Sequence, residues 1–125
     1  MIELILQPPG SSLCGQACVA MAAGISLEES IKVFGHKHTT RTIEISRALN
    51  AVGIQCPSRR LKRLTDRPQW ITRAIIKEIY GPIRKRKSHW VLLWDGHIYD
   101  PDPHGVPGSM YSSYLGIDKT AEVSK

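Results

Sequence analysis

Three residue types in this chain could together do acyl-transfer chemistry: the thiol of Cys14, the imidazole of His89, and a carboxylate at Asp100 or Asp102. Cys14 follows the breaker run Pro8-Pro9-Gly10-Ser11-Ser12 and sits at the head of a stretch, Leu13 to Ala23, rich in good helix formers. A thiol there meets exposed backbone amides and the positive end of the helix macrodipole, which favour thiolate over thiol. The plainer alternative is a small buried apolar residue. His89 opens the run His89-Trp90-Val91-Leu92-Leu93-Trp94, which Asp95-Gly96 separates from His97-Ile98-Tyr99. An Asp-Gly pair between apolar runs is a strong hairpin signature. A two-residue turn pairs Trp94 with His97, Leu92 with Tyr99, Val91 with Asp100 and His89 with Asp102. Period-two alternation then sets His89, Asp100 and Asp102 on one face, so a carboxylate comes within reach of the imidazole either way. Such an acid fixes the tautomer and stabilises the imidazolium that a Cys–His pair requires. Gln7 supplies a side-chain amide which, with the Cys14 backbone N–H, can donate to the oxyanion formed when a thiolate attacks an acyl carbon.

The elements that must hold these residues can be read from periodicity and caps. Leu13–Ala23 carries no charge and is closed by Gly24, so it should be a central buried helix beginning at or near Cys14. Ser26-Leu27-Glu28-Glu29 matches a capping box for a second helix that Gly35 ends after Phe34. A third helix is expected from about Arg41 to Val52, with Ile45, Ala48, Leu49 and Val52 on one face. Ala74–Tyr80 reads as a strand because of Ile75, Ile76 and Ile79. After Pro101, the prolines and glycines at 103, 105, 107 and 108 lead into a polar segment. The expectation is one domain over residues 1–108 and a polar C-terminal tail over 109–125.

Length and composition narrow the class. A chain of 125 residues leaves room for one domain. With 42% apolar and 22% charged residues, disorder, collagen-like repeats and coiled coil are excluded. No run approaches the ~20 apolar residues of a membrane span. Met1–Leu6 is too short and too acidic for a secretory signal, so the chain is expected to start at Met1. Three cysteines, Cys14, Cys18 and Cys56, do not suit a disulfide framework, and a reducing cytoplasm fits best. The net charge of +6 is concentrated in Arg59-Arg60, Lys62-Arg63 and Arg67, and in Arg84-Lys85-Arg86-Lys87 just before His89. Cations there would favour acidic substrate segments, or would grip phosphate backbones with Trp70, Trp90 or Trp94 as stacking platforms. Alternation makes Trp90 and Trp94 better suited to the core or to groove lining than to reading nucleic acid.

The order Gln7, Cys14-Gly15, His89-Trp90-Val91, Tyr99-Asp100-Pro101 resembles the papain-like cysteine peptidase superfamily. The likeness is closest to the peptidases that cut double-glycine leaders from bacteriocin precursors. Ser26–Glu29 through Leu49-Asn50-Ala51-Val52-Gly53-Ile54 is similar to the two short helices that follow the catalytic helix in that family, so the likeness covers most of residues 1–103. It implies an α+β, papain-like fold in which a buried N-terminal helix carrying Cys14 packs on a small antiparallel sheet. It also implies Cys14 as nucleophile, His89 as general base and acid, Asp100 orienting His89, and Gln7 in the oxyanion hole, with no cofactor and no metal. The chain departs from the family where Leu13 replaces an aspartate often found before the nucleophile, and where Gln7 lies one residue further from Cys14. Strict hairpin pairing places Asp102, not Asp100, opposite His89.

The reading that follows is a cysteine peptidase-like hydrolase of a peptide or isopeptide bond, working through a thioester on a peptide or protein substrate. A bacterial or phage accessory protein in the cytoplasm, without membrane contact, would suit the size. The alternative is an inactive papain-like binding module whose basic segments hold nucleic acid or an acidic protein. A third reading is a metal-dependent hydrolase built on His97, Asp100, Asp102 and His104.

Overall fold

The computed structural model describes residues 2–82, 86–102 and 109–117, and the backbone of 119–120. An extended segment and a turn lead into α1, Cys14–Ala23, where Cys14 through Ala22 are all buried. A helix apolar round its whole girth has no surface to show to water, and this one lies in the core. Gly24 ends it in the left-handed conformation, its N–H bonded to the Ala20 carbonyl. The expected reciprocal cap opens α2, Leu27–Phe34: Ser26 Oγ accepts the Glu29 N–H at 3.0 Å, and the Glu29 carboxylate accepts the Ser26 N–H at 3.3 Å. Helix α3, Thr42–Ala51, begins where the Glu44 carboxylate accepts the Arg41 N–H at 2.8 Å, and it buries Ile45, Ala48 and Leu49, the face the spacing predicts.

The chain then turns to strands. β1, Ile54–Gln55, is followed by β2 (Lys62–Arg63), β3 (Arg73–Tyr80), β4 (Lys87–Trp94), β5 (His97–Tyr99), β6 (Met110–Gly116) and β7 (Lys119–Thr120). Among the described residues β2, β6, β3, β4 and β5 form, in that order, a five-stranded antiparallel sheet, and β1 pairs with β7 apart from it. The architecture is mixed α+β. One core fills the space between the helices and the sheet, with Cys18, Val19, Ile45, Leu49, Ile75, Trp90, Leu92 and Leu115 in contact. A smaller one on the other face joins Ile71, Ala74, Ile76, Val91, Leu93 and Tyr114. Trp90 is thus core, as its alternation suggests.

Two expectations need correcting. The β4–β5 hairpin has the predicted turn, with Asp95 at φ 51° and Gly96 at φ 85°, the positive pair that a primed two-residue turn demands. Trp94 pairs with His97 and Leu92 with Tyr99, but β5 stops at Tyr99, so neither the Val91–Asp100 nor the His89–Asp102 pair forms. Pro101 has no N–H to continue the ladder, and the chain bends away. The segment taken for a polar tail after residue 108 holds β6, which lies inside the sheet between β2 and β3 and buries Tyr114 and Leu115. Its serines obscure the strand pattern while bonding the sheet, Ser112 Oγ donating to the Lys77 carbonyl at 3.2 Å. No helix among the described residues is long and apolar enough to cross a membrane.

Candidate active site

Helix α1 starts one residue after Leu13, and no side chain caps it. Its first turn is instead packed against the chain between α2 and α3. A Cβ on Gly15 would stand 2.1 Å from Thr40 Oγ1, so only glycine allows Thr40 to come so close. The next residue, Gln16, is wholly buried, and its Nε2 donates to the carbonyls of His38 at 3.0 Å and His36 at 3.3 Å. Ser30 Oγ donates to the Gln16 carbonyl at 2.7 Å. These bonds fix Cys14, itself 9% exposed, at a rigid helix end.

Gln7 is held from two sides. Its backbone N–H donates to the Pro101 carbonyl at 2.8 Å, and its Nε2 donates to the Ser11 carbonyl at 2.8 Å. The breaker run between them closes as a turn, Ser11 N–H to the Pro8 carbonyl at 3.0 Å. The N-terminal loop is thereby tied to the segment that carries Asp100.

His89, on β4, is 6% exposed, and its Nε2 lies 2.6 Å from Asp100 Oδ1. The same Oδ1 accepts the Asp102 backbone N–H at 2.8 Å, an Asx-type turn around Pro101 that aims the carboxylate at the ring. Asp102 therefore contributes its main chain to the pair. Burial alone would lower the His89 pKa. The hydrogen bond His89 donates to Asp100, with one to the Cys14 side chain and the charges of both groups, overcomes it and pushes His89 up to about 10. In Cys18, one turn further along α1, burial first and then the charges of Cys14 and Asp100 hold the pKa well above the thiol range. None of the three cysteines is in a disulfide.

Gln7, Cys14, His89 and Asp102 line one cleft of about 430 Å³, with Tyr80, Arg86 and Lys87 on its wall. The structure thus brings Gln7, Cys14, His89 and Asp100 into one neighbourhood. It does not gather the alternative metal set: His97 is exposed beside the hairpin turn, Asp100 faces His89, and His104 lies outside the described residues, as do Arg84 and Lys85. Of the aromatic platforms, Trp94 carries Arg73 over its ring at 4.2 Å and Trp70 is 74% exposed.

One neighbour escaped the sequence reading. Glu78 stands directly across from His89 in the β3–β4 register and is 5% exposed. Its position two residues from Ile76 and four from Ala74, both buried on the sheet, was the available signal, since a carboxylate in that phase must be buried too. Glu78 Oε2 accepts from Ser109 Oγ at 2.7 Å, while Oε1 is buried without a hydrogen-bond partner among the described residues. Tyr111, its neighbour on β6, has its pKa raised by burial and then by the charges of Glu78 and Asp100.

Compared with protein-family models, curated proteins and solved structures, the chain gives no match.

Proposed function

We propose that the chain is a papain-like cysteine hydrolase that cleaves a peptide or isopeptide bond through a Cys14-His89-Asp100 triad. The observation that carries this reading is the 2.6 Å bond between His89 Nε2 and Asp100 beside a cleft that Cys14 also lines. In the reaction, Cys14 Sγ attacks the acyl carbon as a thiolate while His89 carries the proton. The oxyanion is met by the Cys14 N–H, at a helix head that no side chain caps, and by the amide of Gln7, whose Nε2 has a second N–H beyond the one given to Ser11. His89 passes its proton to the leaving amine and a thioester remains. Water, deprotonated by His89, attacks the thioester, the C–S bond breaks, and the acid leaves with Cys14 restored.

A helix that bears the sulfur and packs on an antiparallel strand that bears the imidazole supports the papain-like assignment. Three cysteines outside any disulfide suit a reducing cytoplasm. Arg86 and Lys87 on the cleft wall favour substrates with acidic residues near the scissile bond. A pool of fluorogenic peptides differing in charge tests the reading. Cleavage that is fastest for acidic members and disappears in Cys14→Ala and His89→Ala supports it, while cleavage that survives either substitution overturns it.

A further inference from the structure

The buried carboxylate that the triad leaves unused stands against the same imidazole. Ligand atoms of Glu78, His89 and Asp100 all lie within 4.8 Å of one another. They come from neighbouring strands and from the bend after β5, so the sheet itself sets their spacing. Both acids are already braced: Ser109 Oγ fixes Glu78 Oε2 at 2.7 Å, and the Asp102 N–H fixes Asp100 Oδ1 at 2.8 Å. Outer contacts of this kind orient metal ligands. What is not braced is Glu78 Oε1, a buried oxygen with no hydrogen-bond partner among the described residues, in a residue only 5% exposed. The buried Glu78 and the half-buried Asp100 thus put two carboxylate groups around one imidazole, a nitrogen-and-oxygen donor set of the kind a divalent ion takes.

We propose that Glu78, His89 and Asp100 bind a divalent transition-metal ion, with zinc the best fit to one nitrogen and two carboxylate oxygens, and that loading this site switches the hydrolase off. The donor set matches zinc sites in which water completes the coordination. The switching half rests on the triad reading. A neutral imidazole that ligates through one ring nitrogen keeps its proton on the other, so it has no lone pair left to take the proton of Cys14, and the ion displaces the His89–Asp100 hydrogen bond. Removing the ion returns the ring to Asp100. No bond to carbon or sulfur changes in this step; a metal replaces a proton.

Calorimetric titration of zinc chloride into the full-length Cys14→Ala protein tests the site without any thiol ligand from the cleft and without enzyme activity. Binding of about one equivalent, weakened about tenfold or more by adding Glu78→Gln, is expected. Absence of zinc binding, or binding that Glu78→Gln leaves unchanged, overturns the site. Loss of binding in Cys14→Ala alone would put the metal on the thiol and also overturn it. Should Glu78→Gln fail to fold, Ser109→Ala, which frees the Glu78 carboxylate, is expected to weaken zinc severalfold, and unaltered affinity there counts against the site. On the wild-type protein, peptide cleavage should fall about tenfold with one equivalent of zinc and return on chelation. Glu78→Gln should lose less of its own zinc-free rate. If zinc binds and cleavage is unaffected, the switch is wrong and the site stands; if zinc binds and no peptide is ever cleaved, it is the hydrolase reading that fails.

Discussion

Asp100 and Asp102 are two carboxylates separated by a single proline, and strict strand pairing favours the second as the partner of His89. The structure gives the side-chain contact to Asp100 because Pro101 ends the ladder and lets the Asp100 carboxylate curl back over the Asp102 N–H. Asp100→Asn should therefore reduce kcat/KM by ~10² or more, through loss of the charge that holds the imidazolium. Asp102→Asn keeps the N–H that Asp100 accepts and should cost less. Steady-state kinetics of the pair on one cleaved peptide decides between them, and a larger loss in Asp102→Asn would reverse the assignment. The choice of acid was open in the sequence for a physical reason: the hairpin turn fixes register only as far as hydrogen bonding continues, and a proline interrupts it.

At the scale of the element, the head of α1 is held by a close approach that tolerates no side chain. Gly15→Ala would drive a methyl into Thr40 Oγ1 and should destabilise the protein by about 1–3 kcal/mol, as overpacking typically does. Adding Thr40→Ala removes the nearest atom and should recover most of the loss in thermal melts; no recovery would mean that the contact is not what excludes alanine. At the head of α3, the Arg41 N–H bonded to Glu44, followed by the smaller effects of His36 and Arg41, holds the Glu44 carboxyl below its usual range. A depressed carboxylate stabilises the fold above its unfolded pKa, and that contribution is lost as the pH falls through the folded value. Glu44→Gln should thus be less stable by about 0.5–1 kcal/mol near neutral pH. Denaturant melts of the two proteins should converge in acid, and a gap that persists at low pH would show that charge is not the cause.

Across the whole molecule, legibility followed the strength of local signals. The Asp95-Gly96 hairpin, the Ser26–Glu29 box and the uncharged helix beginning at Cys14 were readable because caps, turns and burial each leave a mark within a few residues. β6 was not, since Ser112 and Ser113 break its alternation and its reason to be a strand lies in distant partners, β3 on one side and β2 on the other. Glu78 was not, because its role depends on which residue faces it across the sheet. Of the candidate site, the residue types were legible and their meeting was not. A chain ended after residue 108 would lack the strand between β2 and β3. It should fail to give a cooperative melt or the circular dichroism of the full protein; a folded truncation would show that β6 is dispensable.

The central claim is that His89 activates Cys14. Iodoacetamide labelling of the native protein, followed residue by residue with mass spectrometry, reads that pairing directly, because Cys18 and Cys56 are buried internal controls. Cys14 should be alkylated at least ~10 times faster than either at neutral pH, and His89→Ala should remove that advantage. Alkylation of Cys14 no faster than Cys56, or a rate indifferent to His89→Ala, would contradict the account.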